Sequence, residues 1–315
     1  MSDRILAIVV CFNPKIKALE LSLNAVAQQV DAIVIVDNAS SKVEPIENIR
    51  LGGDQASKPL TILRQNTNLG LGAAHNIGIN FAKQESFSHV LLLDQDSVPL
   101  PDMVARLYAA SKAKAEETSI SAVGPKYLNA DNGAESFFVR FGWLKFKRMD
   151  CSVRDADGCV AADFLISSGS LISLDSIEQI GLMDEGLFID HVDTEWFLRA
   201  RSKGFSAYGV CDAIMQHGLG EQTHRVGIAS AGNFVRRRNV PQHKPFRYYY
   251  IFRNSVNLYK RGYVSSKWKW NDMQRLGMIA LMFAVAKAPR KANAKMMLKG
   301  AIDGLRGVSG RIDFS

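Results

Sequence analysis

Apolar runs and amphipathic runs alternate through the first hundred residues. "ILAIVVCF" (5–12), "DAIVIVDN" (31–38), "LTILRQ" (60–65) and "SHVLLLDQD" (88–96) read as strands. The intervening "PKIKALELSLNAVAQQ" (14–29) and the Asn/Gly-rich "NTNLGLGAAHNIGINFAKQ" (66–84) carry apolar residues at helical spacing. Strands that stay apolar along their length, separated by amphipathic helices, predict a mainly parallel sheet covered on both faces. In such sheets ligands bind beyond the carboxyl ends of the strands. Here those ends carry Asn13, Asp37-Asn38, Asn66, Asn68, Asp94 and Asp96, so one polar crevice is expected.

The pattern loosens between 124 and 220. "DFLISSGSLISL" (163–174) resembles a strand interrupted by Ser and Gly. "GLFIDHVDTEWFLRARSKGF" (186–205) reads as a short strand or turn entering a helix that ends at Gly204, and "AYGVCDAIMQH" (207–217) as a strand ending at His217. From Phe246 onward three helical stretches are predicted. The basic, proline-containing "RRRNVPQHKP" (236–245) is the expected boundary between a catalytic-type domain at 1–240, its halves meeting near 123/124, and a helical region at 241–315.

Charge sharpens this division. The chain of 315 residues has a net charge of +8, yet residues 241–315 hold 15 Lys and Arg against 3 Asp and Glu. The basic character therefore belongs to the tail, which fits an anionic partner. Trp268, Trp270, Met278 and Phe283 are candidates to dip into a lipid interface; packing on protein, including a second copy, is the competing use. No apolar run is long enough to span a bilayer, and Met1-Ser2-Asp3-Arg4 leads straight into the first strand without a signal pattern. The four cysteines, Cys11, Cys151, Cys159 and Cys211, show neither CxxC pairs nor zinc spacing, and reduced thiols in a cytoplasmic protein are expected.

Candidate chemistry sits at the element ends. Asp94 and Asp96 repel each other at the end of a buried strand unless something positive compensates; Mg²⁺ or Mn²⁺ bridging to a diphosphate would do so, and a solvated strand-end turn is the plain alternative. Asp190, Asp193 and Glu195 crowd a helix start, where the dipole alone favours carboxylates. His217 at a strand end is either a ligand or a structural histidine. "NLGLGAAHNIG" matches neither a dinucleotide fingerprint nor a P-loop. A nucleic-acid binder would explain the basic tail but not the strand-end carboxylates, so no nucleic acid is expected. A nucleotidyltransferase would place a basic glycine loop where this chain has "CFNPKIK" (11–17).

Taken in order, "VVCFNP", "IVIVDNASS", "NTNLGLGAAHNIGI", "LLLDQDS", "FIDHVDTEWFLRAR" and "QHGLG" resemble the family-2 glycosyltransferases, from Ile5 to His224. The wording around "LLLDQDS" and "FIDHVDTEW" is most similar to the bacterial dTDP-L-rhamnose-dependent branch that builds cell-surface polysaccharide. The resemblance implies a GT-A fold and an inverting, metal-dependent transfer from a nucleotide sugar to a saccharide, lipid-linked and met at the cytoplasmic face of the inner membrane. A UDP-sugar donor is the alternative. It further implies Asp37 at the base with Phe12, Asn13, Asn66 and Asn68 nearby, and Asp94 at the ribose and diphosphate. Asp96 and His217 are implied at the metal, Asp193 as base, and Glu195 and Trp196 at the acceptor. Val192 stands where many relatives carry Glu, and only geometry separates Asp190 from Asp193 as the base.

Overall fold

The structure, a computed structural model, describes residues 3–42, 44–52, 58–129, 133–217, 223–229, 235–241, 243–286 and 289–313, with backbone alone for 44–45, 217, 223–229, 235–241 and 284–286. The first half alternates as the hydrophobic pattern requires: β1 (Ile5–Cys11), α1 (Ile16–Ala27), β2 (Ala32–Asp37), α2 (Glu44–Glu47), β3 (Leu60–Arg64), α3 (Leu71–Gln84) and β4 (His89–Asp94). The strands pair in parallel in the order β3-β2-β1-β4. Successive β1 residues point to opposite faces: Leu6 and Ile8 enter one core layer, Ala7, Val9 and Cys11 the other. Burial on both faces explains the near-continuous apolar runs of β1, β2 and β4, while edge strand β3 is only half-buried; each fully buried aliphatic side chain contributes about 1.5–3 kcal/mol.

Beyond β4 the sheet becomes mixed. The chain continues through β5 (Ser97–Pro99), α4 (Met103–Glu117), β6 (Ile120–Asn129), β7 (Phe138–Phe141), β8 (Phe146–Met149), β9 (Cys159–Ala162), β10 (Leu171–Ser173), α5 (Leu174–Ile180), α6 (Val192–Ser202) and β11 (Ser206–His217). Short β10 inserts antiparallel between β4 and β6, β11 runs parallel to β6, and β5 and β9 pair antiparallel with β11. Of the expected strand in 163–174 only Leu171–Ser173 is regular; the preceding Ser/Gly stretch is a loop whose Ser170 carbonyl and Gly169 N–H bond to Leu92. The sheet is thus mainly parallel and flanked by helices, as the apolar pattern predicts.

A hairpin of β12 (Thr223–Ala229) and β13 (Val235–Pro241) follows; part of the basic run taken as a boundary is therefore strand. Then come α7 (Pro245–Tyr259), α8 (Ser266–Ala280), a π-helical segment (Leu281–Ala286) and α9 (Arg290–Arg306). Buried Arg253 and Asn254 on α7 dock this region onto the loop before α6 through the carbonyls of Gly186, Leu187, Ile189 and Asp190. Two of the four residues proposed for a lipid interface, Trp268 and Phe283, are core residues here, because α8 turns those faces onto α7; Trp270 and Met278 stay exposed.

The cysteine expectation needs correction. Cys151 and Cys211 form a disulfide, while Cys11 and Cys159 are buried free thiols. The bonded pair lies 60 residues apart in sequence, so local spacing gives no sign of it; pairing of β9 with β11 is what brings the segments together.

Candidate active site

Strand register places the polar ends side by side. Cys11 is opposite Asp37, and Val10 is opposite Asp94, so β1, β2 and β4 finish at one crevice. Asp37 is 1% exposed; its Oδ1 accepts from the Ser40 N–H at 3.0 Å, and its Oδ2 has no hydrogen-bond partner among the described residues. An unpaired, buried carboxylate oxygen costs free energy until a donor reaches it. Asn13, at positive φ, receives Ser41 N–H and Oγ–H on its Oδ1 at 2.9 Å and donates its own N–H to Ser40 Oγ, closing the rim between β1 and β2. Phe12 lies beside it, nearly half exposed, with its N–H on Gln95 Oε1.

The Asn/Gly-rich loop supplies the next wall. Asn68 Oδ1 accepts from Asn38 Nδ2 and from the Gly70 N–H, while Asn38 Oδ1 accepts from the Leu69 N–H. Buried Asn38 thus stitches the loop to β2; Asn66 is exposed just before this knot. Gly70 adopts φ +90°, and a Cβ there would sit 2.5 Å from the Phe188 carbonyl, so the position demands glycine. That approach ties the loop to the segment before α6, where Phe188, Asp190 and His191 all have positive φ. Strain of this kind, about 1–3 kcal/mol per residue, persists only where surroundings over-determine it.

Asp94 and Asp96 are half-buried at the end of β4. The Asp94 N–H donates to Ser168 Oγ, which also bonds Ser97 Oγ. β5 pairs with β11 so that His217 is opposite Ser97, one residue from Asp96; only its backbone is described. Among the described residues no group of three or more His, Cys, Asp and Glu side chains forms a metal cluster. Asp94 and Asp96 still offer the hard oxygens that Mg²⁺ or Mn²⁺ takes, and the strand register adds an imidazole-bearing residue beside them.

Asp193 lies in the first turn of α6, near enough to Tyr127 of β6 to act on its hydroxyl, as Asp94 does. Burial raises its carboxyl above the usual range, with the like charge of Asp190 adding to the effect; N–H groups of Thr194 and Ser167 pull the other way. Tyr127 on β6 lies within the fields of both Asp94 and Asp193 and donates to the Ser168 carbonyl at 2.5 Å. Burial first, then those two carboxylates, drive its hydroxyl far above the ordinary range. Tyr127 therefore marks the ground between the two carboxylates.

Geometry also separates Asp190 from Asp193. Asp190 accepts from Arg247 of α7, Nε at 3.2 Å and Nη2 at 3.1 Å, so its charge is engaged by the C-terminal region. Glu195 and Trp196 do not fit the acceptor role that resemblance gave them, because both are 1% exposed. Glu195 takes Arg199 bidentately at 2.8 and 2.9 Å and the Tyr263 hydroxyl at 2.5 Å, and Trp196 Nε1 donates to Gly181. Two residues along a helix is about 200° of rotation, which turns Glu195 inward when Asp193 faces the crevice. Tyr127, Ser168 and Arg247 were missed from sequence and had no signal there, whereas Asn38 was read as a crevice residue beside Asp37 at the strand end.

A crevice at the carboxyl ends of parallel strands is where a sheet of this kind takes its ligand, here beside carboxylates and small amides. The chain belongs to glycosyl transferase family 2, whose model matches residues 6–171, more than half of it. It is 26% identical over 319 residues to the dTDP-rhamnosyl transferase RfbF of Shigella flexneri, covering 98% of each chain. Among solved structures, S. aureus TarS 1-349 in complex with UDP-GlcNAc superposes with a TM-score of 0.55 at 16% identity, over 97% of this chain and 81% of that one. GalNAc-T7 with UDP, GalNAc and Mn2+ also gives 0.55, at 17% identity, over 69% of this chain; the chain spans 44% of that protein.

Proposed function

We propose that this glycosyltransferase moves L-rhamnose from dTDP-L-rhamnose, with inversion, to a hydroxyl of a lipid-linked saccharide during cell-surface polysaccharide assembly. What supports the reading is that β2 and β4 end beside β1 with Asp37 and Asp94, that Asp94 and Asp193 both act on Tyr127, and that Asp37 Oδ2, without a partner among the described residues, is open to a donor such as a pyrimidine imide N–H. The dTDP-rhamnosyl name of a relative matched over nearly its whole length supports the donor.

The chemistry follows from the side chains. A sugar hydroxyl is a weak nucleophile at neutral pH, so a base must take its proton as the new C–O bond forms. Asp193 suits this role: its raised basicity helps proton capture, while Asp190 is engaged with Arg247. The bond from the anomeric carbon to the β-phosphate oxygen breaks in the same displacement, and its electron pair leaves with the diphosphate. A single displacement from the opposite face inverts the anomeric centre without an enzyme nucleophile. Asp96 with His217 would hold Mg²⁺ or Mn²⁺, which when bound supplies positive charge to the diphosphate, with Asp94 at the ribose and diphosphate.

Association with the membrane surface fits the same reading. No helix among the described residues is long and apolar enough to cross a membrane. On α8 and its continuation, Trp270, Met273, Met278 and Leu281 recur at helical spacing and are 45–67% exposed, within the basic tail. The decisive experiment incubates the protein with dTDP-L-rhamnose and a panel of UDP-sugars, with Mg²⁺ or Mn²⁺. The expected result is thermal stabilisation and slow donor hydrolysis with dTDP-L-rhamnose; response to a UDP-sugar alone sinks the rhamnose assignment.

A further inference from the structure

Away from the crevice, the β7–β8 hairpin carries Trp143 and Leu144 at its tip, 70% and 79% exposed. An exposed tryptophan on a loose turn would mean little, but this turn is held. From α8, Asn271 Nδ2 donates to the Gly142 carbonyl at 2.7 Å and Gln274 Nε2 to the Leu144 carbonyl at 3.1 Å, bracketing Trp143 on both sides. Gly142 is needed there, since a Cβ would meet the Lys145 carbonyl at 2.5 Å. Just beyond β8, Cys151 bonds to Cys211 on β11, which fixes the far side of the hairpin. Lys267 Nζ stands 4.7 Å from the centre of the indole.

Beside the indole lies a cavity of about 280 Å³, formed with Arg201 at the end of α6, Ser265 and Ser266 at the start of α8, and Asp163. Asp163 is buried; its Oδ2 accepts the Phe141 N–H at 2.6 Å and its Oδ1 holds Arg201. That pair orients a planar, half-exposed guanidinium at the cavity wall. It also offsets the cation, so the site is not a simple anion trap.

We propose that this cavity is a saccharide subsite, which receives sugar units of the acceptor remote from the reacting hydroxyl. A pyranose ring presents an apolar C–H face and a rim of equatorial hydroxyls. Those two features match a fixed aromatic plane with directed polar groups beside it. From Asp193 to Arg201 along α6 is about 12 Å at 1.5 Å per residue, a distance that a short oligosaccharide spans. The proposal rests on the reading that the acceptor is a saccharide, and it adds where a longer acceptor gains affinity.

The test uses an array of immobilised bacterial saccharides, from single sugars to long repeats, probed with the full-length protein, with Trp143→Ala and with Arg201→Gln. A parallel dTDP-induced thermal shift reads the donor crevice. The subsite predicts that the unaltered protein is retained on oligosaccharides better than on single sugars, and that each variant loses at least about ten-fold of that retention. Trp143→Phe should recover part of it, and all variants should keep the dTDP shift. Retention of both variants at the unaltered level overturns the subsite, as does failure of the unaltered protein to hold any saccharide. Loss of the dTDP shift in the unaltered protein would count against the donor reading alone, since array retention lost in the variants would still support the subsite.

Discussion

The two walls of the crevice are made in different ways. The donor wall, at the ends of β1, β2 and β4, is set by strand register and by small polar side chains that bond the adjacent backbone, as Asn13 and Asn38 do. The acceptor wall, at the start of α6, is set from far away in sequence: Arg247 and Asn254 of α7, and Arg261 and Tyr263 after it, hold Asp190, Asp184 and Glu195. A wall built by local pairing tolerates change elsewhere. A wall built by docked helices makes catalysis depend on residues that never meet substrate.

The largest expected effect breaks the acceptor wall at its chemical centre. Asp193→Asn removes the proton acceptor but leaves the strand ends untouched, so transfer should fall by roughly 10²–10⁴-fold while dTDP binding persists. Rates by product formation and dTDP affinity by calorimetry check both halves; normal turnover removes Asp193 from the base role. Next comes the support behind it. Asn254, fully buried, donates to the Leu187, Ile189 and Asp190 carbonyls at 2.8–3.0 Å. Asn254→Ala removes the donor to the Ile189 and Asp190 carbonyls, the Leu187 carbonyl keeping Arg253, at a cost of about 1–3 kcal/mol and frees the strained loop, so kcat should drop on the order of ten-fold. Unchanged kcat with a lowered melting temperature would make α7 a purely structural clamp.

The contrast also explains what was legible in the sequence. The donor wall was readable because β1, β2 and β4 are buried on both faces and lead into polar residues, a pattern written in consecutive letters. Antiparallel β10 and β5, three residues each, are too short to leave a period. Asp193 was readable as a carboxylate at a helix start, but Glu195 was assigned to the same surface although helix rotation turns it inward; its partner Arg199, four residues on, was the available sign. The Asp190–Arg247 pair, 57 residues apart, and the Cys151–Cys211 bond have no local signature at all.

Two histidines, buried His75 in α3 and half-buried His191 before α6, predict acid sensitivity. His75 in α3 is 1% exposed, neither ring nitrogen is bonded among the described residues, and burial lowers its pKa to about 4. His191 is lowered to about 4 as well, by burial above all, with Arg275 opposing protonation. A depressed folded pKa means that the stabilising contribution is fully present above the unfolded value near 6.5 and is lost as pH falls towards 4. For His75 alone the loss at pH 5 should be about 2 kcal/mol. Urea titrations of the protein and of His75→Leu at both pH 7.5 and pH 5 measure it; an identical pH dependence in the two would refute the assignment.

The smallest effect sharpens the comparison most. The like charge of Asp190 helps to raise the Asp193 carboxyl, so the acid limb of kcat/KM should lie above the ordinary carboxylate range. Activity is then lost as pH falls through that raised value, because the base must be unprotonated to act. Asp190→Asn removes the neighbouring charge and leaves the Arg247 cation without its partner. Both changes favour the ionised form of Asp193, so the limb should move to lower pH. Since Arg247 belongs to α7, Arg247→Gln should move the limb the other way. A limb that stays fixed in both variants would mean that α7 holds the acceptor wall in place without tuning its chemistry.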